Sequence, residues 1–152
     1  MSIDRSYLEQ NTRERERLRA LVERLGDGEL LAPVNQHWTV AGVLGHIAFW
    51  DGRALALGRK IEQGVPFSPS DDEPEDVDWI NDANRPLIHA IAPRRAAELA
   101  LRVADQTDQR MASLSPDLVR GTWPTDPSSP LNPLRAAHRA EHLDEIEVAL
   151  RD

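Results

Sequence analysis

Two of the five histidines, His138 and His142, are four positions apart in a segment with helical periodicity. Residues at this spacing lie on one face of a helix, so both imidazoles can bind one metal ion. Such a pair also arises by chance on exposed helix surfaces. The zinc-protease pattern has a glutamate directly after its first histidine, whereas this chain has Arg139 there. The pair therefore indicates metal binding and does not indicate protease chemistry.

His46 lies in an apolar helical window that includes Ile47 and Trp50. A histidine beside an apolar face is more often a core residue with satisfied hydrogen bonds than a ligand. In a four-helix bundle, however, metal sites are built from side chains of facing helices, and a third ligand completes an i, i+4 pair. We therefore predict a site of His46, His138 and His142. The chain has no cysteine, and three neutral imidazoles suit Zn, Ni, Fe or Mn with positions left for water or substrate.

Two carboxylates are near these histidines in sequence. Asp51 follows His46 by five positions, and Glu141 immediately precedes His142. Either is a candidate to orient a ligand imidazole or to act as a general base. The alternative for each is a solvated carboxylate or an ion pair on the helix surface.

Several aromatic and amide side chains are further candidates for the surroundings of the site. Tryptophans carry a large packing area, so we expect them to be core or loop anchors rather than platforms for a ligand. The amide and guanidinium groups near the start of the third helical region either line a pocket or, for the asparagines, cap a helix. These residues are Trp38, Trp50, Trp79, Trp123, Asn81, Asn84 and Arg85.

Hydrophobic periodicity predicts four long amphipathic helices and no strand. The predicted ranges are Ile3–Leu25, a second helix capped by Thr39 and ending near Glu62, Ala96–Leu114, and Leu134–Leu150. On the last helix, His138 and His142 lie at the margin of an apolar stripe, which predicts a site near the open edge of the bundle. The fold class is therefore all-α, a four-helix bundle with longer crossover connections.

The connections are rich in proline and acidic residues. The stretch from Asp27 to Trp38 is predicted to be a loop with at most one helical turn, and the acidic run from Asp71 to Asp78 a solvated crossover. The third helical region begins near Val77 and is interrupted by Pro86 and Pro93, so its first part is either a separate short helix or a kinked lead-in. Gly121 to Pro133 should be irregular.

Length and charge narrow the class of protein. The 152 residues fit one domain, and the net charge of −8 argues against nonspecific binding to DNA or to anionic membranes. We expect a small-molecule substrate as the partner, with no nucleic acid and no membrane. Without a signal-peptide pattern or a long apolar span, the chain is predicted to be cytoplasmic. A homodimer through an exposed helix face stays open.

The chain resembles the DinB superfamily of four-helix bundles, which includes YfiT-like proteins and the metal-binding domain of mycothiol-dependent maleylpyruvate isomerase. The resemblance is carried by Trp38-Thr39-Val40 leading into LGHIAFWD (44–51), and by HRAEHLDEI (138–146). It implies a metal held by His46, His138 and His142, usually zinc or nickel, and activities such as thiol-dependent transfer or hydrolysis. The isomerase has a second domain that contributes to its active site and that this chain lacks, so the expectation does not extend to isomerase activity.

Three hypotheses follow for function. The first is a divalent-metal-dependent enzyme, either a hydrolase or a transferase that uses a low-molecular-weight thiol of the mycothiol type as cosubstrate. The second is a non-catalytic metal- or ligand-binding stress-response bundle. The third is a scaffold or dimerisation module, which predicts that the three histidines do not converge.

Overall fold

The computed structural model describes residues 3–151, and these residues form seven α-helices and no strand. Four helices are long: α1 (Tyr7–Arg24), α3 (Val40–Glu62), α5 (Pro93–Ser113) and α7 (Ala136–Arg151). Three are short: α2 (Asp27–Leu30), α4 (Asp78–His89) and α6 (Pro116–Arg120). Helix α3 packs most extensively against α5, while α1 contacts both α5 and α7, and α7 also contacts α3. The all-α bundle predicted from the periodicity is confirmed.

The helix boundaries differ from the predicted ones where tertiary contacts or prolines decide them. Helix α1 begins at Tyr7 rather than Ile3. Helix α7 begins at Ala136 rather than Leu134, because the Asn11 side chain accepts hydrogen bonds from the backbone N–H groups of Arg135 and Ala136. A cap supplied by another helix leaves no pattern in the local sequence.

Prolines act differently at the two positions where they interrupt the third helical region. Pro93 begins α5, since the first helical position needs no N–H donor. Pro86 lies inside α4, which continues to His89. The region is thus a separate short helix followed by a long one. The single turn α2 agrees with the prediction of at most one helical turn between Asp27 and Trp38. Helix α6 was not predicted.

Helix α4 lies close against α3 because α3 has glycines at the crossing. A Cβ atom at Gly45 would be 2.5 Å from the Ile88 side chain, and one at Gly42 would be 2.3 Å from Nε2 of His89. Both distances are too short for real contacts. The glycines therefore allow α4 to pack over the N-terminal half of α3, where His46 is located.

The core consists of two apolar clusters. The first joins the N-terminal half of α3 to the C-terminal half of α1 and includes Leu21 and Leu44. The second lies nearer the other end of α3 and includes Leu57 of α3 and Met111 of α5. Polar residues that are at most 5% exposed lie between the two clusters along each long helix. These residues, which we call the polar layer, are Asn11, Asp51, Thr107, Asp108 and Arg139.

None of the helices within residues 3–151 combines the length and the apolar composition needed to cross a bilayer.

Candidate metal centre

Helices α3 and α7 bring the three predicted histidines together. Helix α3 begins after Thr39, whose hydroxyl accepts a hydrogen bond from the Gly42 N–H, and His46 follows two turns later at only 8% exposure. His138 and His142 lie on one face of α7, half-buried at the edge of the packed surface. This is the margin position that the apolar stripe predicted. The hypothesis of a scaffold with separated histidines is therefore wrong.

The three Nε2 atoms face one another. They are 3.1 Å apart between His46 and His142, 3.1 Å between His138 and His142, and 3.3 Å between His46 and His138. Each Nε2 atom either carries a hydrogen or presents a lone pair. Among three such atoms at least two must be alike, so hydrogen bonds alone cannot satisfy all three contacts.

A shared cation satisfies all three nitrogen atoms at once. Three nitrogens bound to one ion at about 2.0 to 2.1 Å lie about 2.8 to 3.4 Å apart for coordination angles between octahedral and tetrahedral. The observed separations fall in that range. The geometry of the three imidazoles therefore fits a divalent metal ion, and no cysteine competes as a ligand.

Burial keeps two of the imidazoles in the neutral form that a ligand needs. Burial, with His142 as a second cause, lowers the pKa of His46 from 6.5 to about 4. Burial and then the neighbouring His142 and His46 lower the pKa of His138 to about 2, and Arg135 and Arg139 contribute in the same direction. Both imidazoles thus have lone pairs available at neutral pH.

The outer nitrogens of the three imidazoles have unequal partners. Nδ1 of His142 lies 3.0 Å from Oε2 of Glu145, which fixes the orientation of the ring and leaves Nε2 free to bind. Nδ1 of His46 and Nδ1 of His138 are buried without a hydrogen-bond partner among residues 3–151. Packing rather than hydrogen bonding therefore holds these two rings.

Trp38 covers the side of His46. The two rings meet edge to face with centroids 5.5 Å apart, and the Arg85 guanidinium lies 5.7 Å from the centroid of Trp38. His89 also packs against Trp38 at 5.3 Å. Through Trp38, residues of α4 thus contribute to the enclosure of the histidine cluster. Arg85, a candidate to line the pocket, does not line the cavity and contacts Trp38 instead.

A cavity of about 490 Å³ opens beside the three histidines, which is a volume suited to a small molecule. Its aromatic walls are Trp38 and Trp50, and the Trp50 indole N–H donates to Oδ1 of Asn81, which also lines the cavity. Asn84 is not among the lining residues, and both polar atoms of its amide are buried without a partner in the described part of the chain. Trp79 and Trp123 are exposed and do not line this cavity.

The carboxylates predicted near the site have different surroundings. Asp51 is fully buried, and its two oxygens accept hydrogen bonds from Nε of Arg135 and Nε of Arg139 at 3.0 and 2.9 Å. It has no hydrogen bond to an imidazole, so the expectation that it orients a ligand does not match its geometry. Glu141 lines the cavity without a hydrogen bond to His142. Glu145, which the sequence reasoning missed, holds that imidazole instead, and its i+3 spacing from His142 was the available signal.

Behind the histidines, ion pairs in the polar layer link four helices. Arg139 donates to Asp51 on α3 and, through both Nη atoms, to Asp108 on α5 at 2.8 and 2.9 Å. Nη1 of Arg139 also donates to the backbone carbonyl of Asn11 on α1. Asp108 receives a further hydrogen bond from Arg15. Because His46 and His138 are on two of the joined helices, this network sets their separation.

A family model described as the DinB superfamily matches residues 10–143. Searches of curated proteins and of solved structures each found no significant match. The matched range includes all three histidines, the whole first motif (44–51) and residues 138–143 of the second.

Proposed function

This chain belongs to the DinB superfamily, and on that premise we propose that it is a divalent-metal-dependent enzyme with His46, His138 and His142 as ligands. One observation carries the proposal: the three Nε2 atoms lie 3.1 to 3.3 Å apart at the wall of a cavity large enough for a small molecule. Three protein ligands leave coordination positions for a reacting group, as in catalytic rather than structural zinc sites.

The chain's own residues prepare the site in three ways. The packing around His46 and His138 keeps their imidazoles neutral. Glu145 holds the third imidazole so that Nε2 faces the other two. When bound, a zinc or nickel ion supplies Lewis acidity, which makes water or a low-molecular-weight thiol more acidic.

Two reaction classes agree with this site: hydrolysis of a small ester or amide, and transfer of a low-molecular-weight thiol of the mycothiol type to an electrophile. The absence of cysteine is compatible with a thiol supplied by a cosubstrate. Glu141 is the candidate general base because it lines the cavity beside His138 and His142. We assign no such role to Asp51, since arginines occupy both of its oxygens.

The test begins with protein stripped of metal by a chelator. Zinc and nickel are added back separately, bound metal is measured by elemental analysis, and thiol conjugation and ester or amide hydrolysis are assayed. His46→Ala should lose both the stoichiometric metal and the activity. His37→Ala is the matched control, because His37 is exposed and does not line the cavity.

The outcomes separate the proposal from its alternatives. Equal metal content in the His46→Ala variant and the wild type would contradict metal binding at the three histidines. Stoichiometric metal without turnover in either assay would favour the non-catalytic ligand-binding bundle. Activity that is the same in metal-free and metal-loaded protein would contradict metal dependence.

A further inference from the structure

Arg135 presents a fixed cation in the wall of the cavity. It immediately precedes α7, three positions before His138, and its side chain is only 12% exposed. Nε donates to Oδ1 of Asp51 and Nη2 donates to the carbonyl oxygen of Trp50 at 3.3 Å. Nη1 has no hydrogen-bond partner among residues 3–151. The guanidinium is thus held in place while one of its nitrogens remains available.

The buried carboxylates behind Arg135 do not neutralise it. Asp51 is shared between Arg135 and Arg139, and Asp108 is shared between Arg139 and Arg15. Three guanidinium groups therefore alternate with two carboxylates along this chain of ion pairs. At its outer end Arg15 also lies near Asp105, whereas the inner end is Arg135 at the cavity. Positive charge remains at that end.

The other arginine that lines the cavity, Arg53, already has hydrogen-bond partners within the protein. Arg53 donates to the carbonyl oxygens of Pro130 and Asp71, and its guanidinium lies 3.7 Å from Glu73. It therefore joins α3 to the two crossover connections. Although Arg53 and Arg135 line the same cavity, their chemistry differs, because both Nη atoms of Arg53 already donate to backbone carbonyl groups.

Two amides in the cavity wall add neutral donors. The Trp50 indole can only donate, so the Asn81 atom that it contacts must be the oxygen, which leaves the NH₂ group unused. The same argument applies to Asn132, whose oxygen accepts from the backbone N–H of Leu134. Both amides line the cavity together with Arg135. One cation and two NH₂ groups form an acceptor-seeking part of the wall. The wall also carries three glutamates, of which Glu73 lies near Arg53 and Glu145 contacts His142, while Glu141 is the candidate general base.

We propose that Arg135 binds an anionic oxygen group of the substrate, and that the substrate is a small carboxylate. This rests on the proposed function, because it names the substrate class of the same cavity. One available guanidinium nitrogen with two neutral amides suits a single carboxylate group, which carries one charge, better than a phosphate group, which carries about −1.5 to −2 at neutral pH. Since Arg135 and His138 are three positions apart, the carboxylate binds within about one helical turn of the reacting group.

The first experiment uses the wild-type protein without metal, so that binding to the ion itself does not contribute. Succinate, the neutral analogue succinamide, and inorganic phosphate are titrated while the arginine Nε–H resonances are followed by NMR and binding is measured by calorimetry. The Arg135 resonance should shift with succinate and not with succinamide. Phosphate that binds about tenfold more tightly than succinate would overturn the carboxylate assignment.

The second experiment compares two matched variants. Arg135→Gln should weaken succinate binding by about tenfold or more, the loss expected for a charge-assisted hydrogen bond. Arg53→Gln removes the same charge from the same cavity and should change binding less than about threefold. Equal losses in the two variants, or no loss in Arg135→Gln, would overturn the proposal. The wild-type NMR titration remains decisive even if the variants fold poorly.

Failure of the proposed function gives a different result. A protein that binds no zinc or nickel, yet shows Arg135-dependent binding of succinate, would contradict the metal enzyme and retain the anion site. Stoichiometric metal together with an unshifted Arg135 resonance would contradict the anion site alone.

Discussion

Replacement of Arg139 by methionine tests whether the polar layer holds the bundle together. Arg139 is fully buried and donates four hydrogen bonds, three to the carboxylates of Asp51 and Asp108 and one to the carbonyl of Asn11. Burial lowers the pKa of its guanidinium, but the two aspartates raise it by more, so the side chain stays charged. Methionine keeps much of the apolar stem and removes only the charge and the donors.

The expected loss of stability in Arg139→Met depends on the partners that the two carboxylates keep. Removal of one partner from a buried ion pair typically costs about 3 to 5 kcal/mol, because a charge is left without compensation. Here each carboxylate keeps a second arginine, Arg135 for Asp51 and Arg15 for Asp108. The loss should therefore lie near the lower end, about 3 kcal/mol. With a slope of about 1.5 kcal/mol per molar urea, the unfolding midpoint should fall by about 2 M.

Equilibrium unfolding in urea measures this loss, and Arg95→Met is the control. Arg95 forms an ion pair with Glu98 on the surface at 79% exposure, so its replacement should change stability by less than about 0.5 kcal/mol. Zinc affinity should also fall in Arg139→Met, since the network sets the separation of α3 and α7. If Arg139→Met loses no more stability than Arg95→Met, the reasoning about the polar layer is wrong.

Three further predictions concern the histidines and the helix that covers them. Burial lowers the pKa of His46 to about 4, so its contribution to the stability of metal-free protein is complete above pH 6.5 and is lost as the pH falls toward 4. Urea midpoints should show this slope, and His46→Gln should reduce it to the part that comes from His138, whose pKa is lowered to about 2. Glu145→Gln should weaken zinc affinity by about tenfold in a chelator competition because its imidazole partner loses orientation, whereas an equal effect of Glu141→Gln would argue against that reason. Gly45→Ala should lower the thermal midpoint by an amount that corresponds to about 1 to 3 kcal/mol, because the added Cβ would be 2.5 Å from a side chain of α4. Gly52→Ala, whose Cβ would make an ordinary contact at 3.8 Å, should be neutral or stabilising.

Local patterns sufficed for features that depend on neighbours along the chain. The four-residue spacing of His138 and His142 places both imidazoles on one helix face, regardless of how the helices pack. Thr39 marks the start of α3 because its hydroxyl accepts a hydrogen bond from the Gly42 N–H. The DinB resemblance, confirmed by the family match, rests on the same short segments. Glu145 could also have been found in this way, because its contact with His142 is within one helix.

Contacts between segments that are distant in sequence could not be predicted from local patterns. Asn11 caps α7 across more than a hundred residues, and this contact moved the predicted start of that helix. Its spacing of five positions from His46 makes Asp51 a candidate partner of the histidines, beside the alternative of a solvated carboxylate or an ion pair. In the bundle it points to Arg135 and Arg139 instead.

The sequence by itself therefore determined the all-α class, the long helices and the set of histidines, since each depends on periodicity or spacing within a segment. Only the tertiary structure decided which charges are buried and how close the three Nε2 atoms come. An arginine such as Arg139 is normally expected in solvent, and its full burial depends on carboxylates brought by α3 and α5. The packing of α3 against α7 sets the distance between His46 and His142, because no local rule fixes the separation of side chains on different helices.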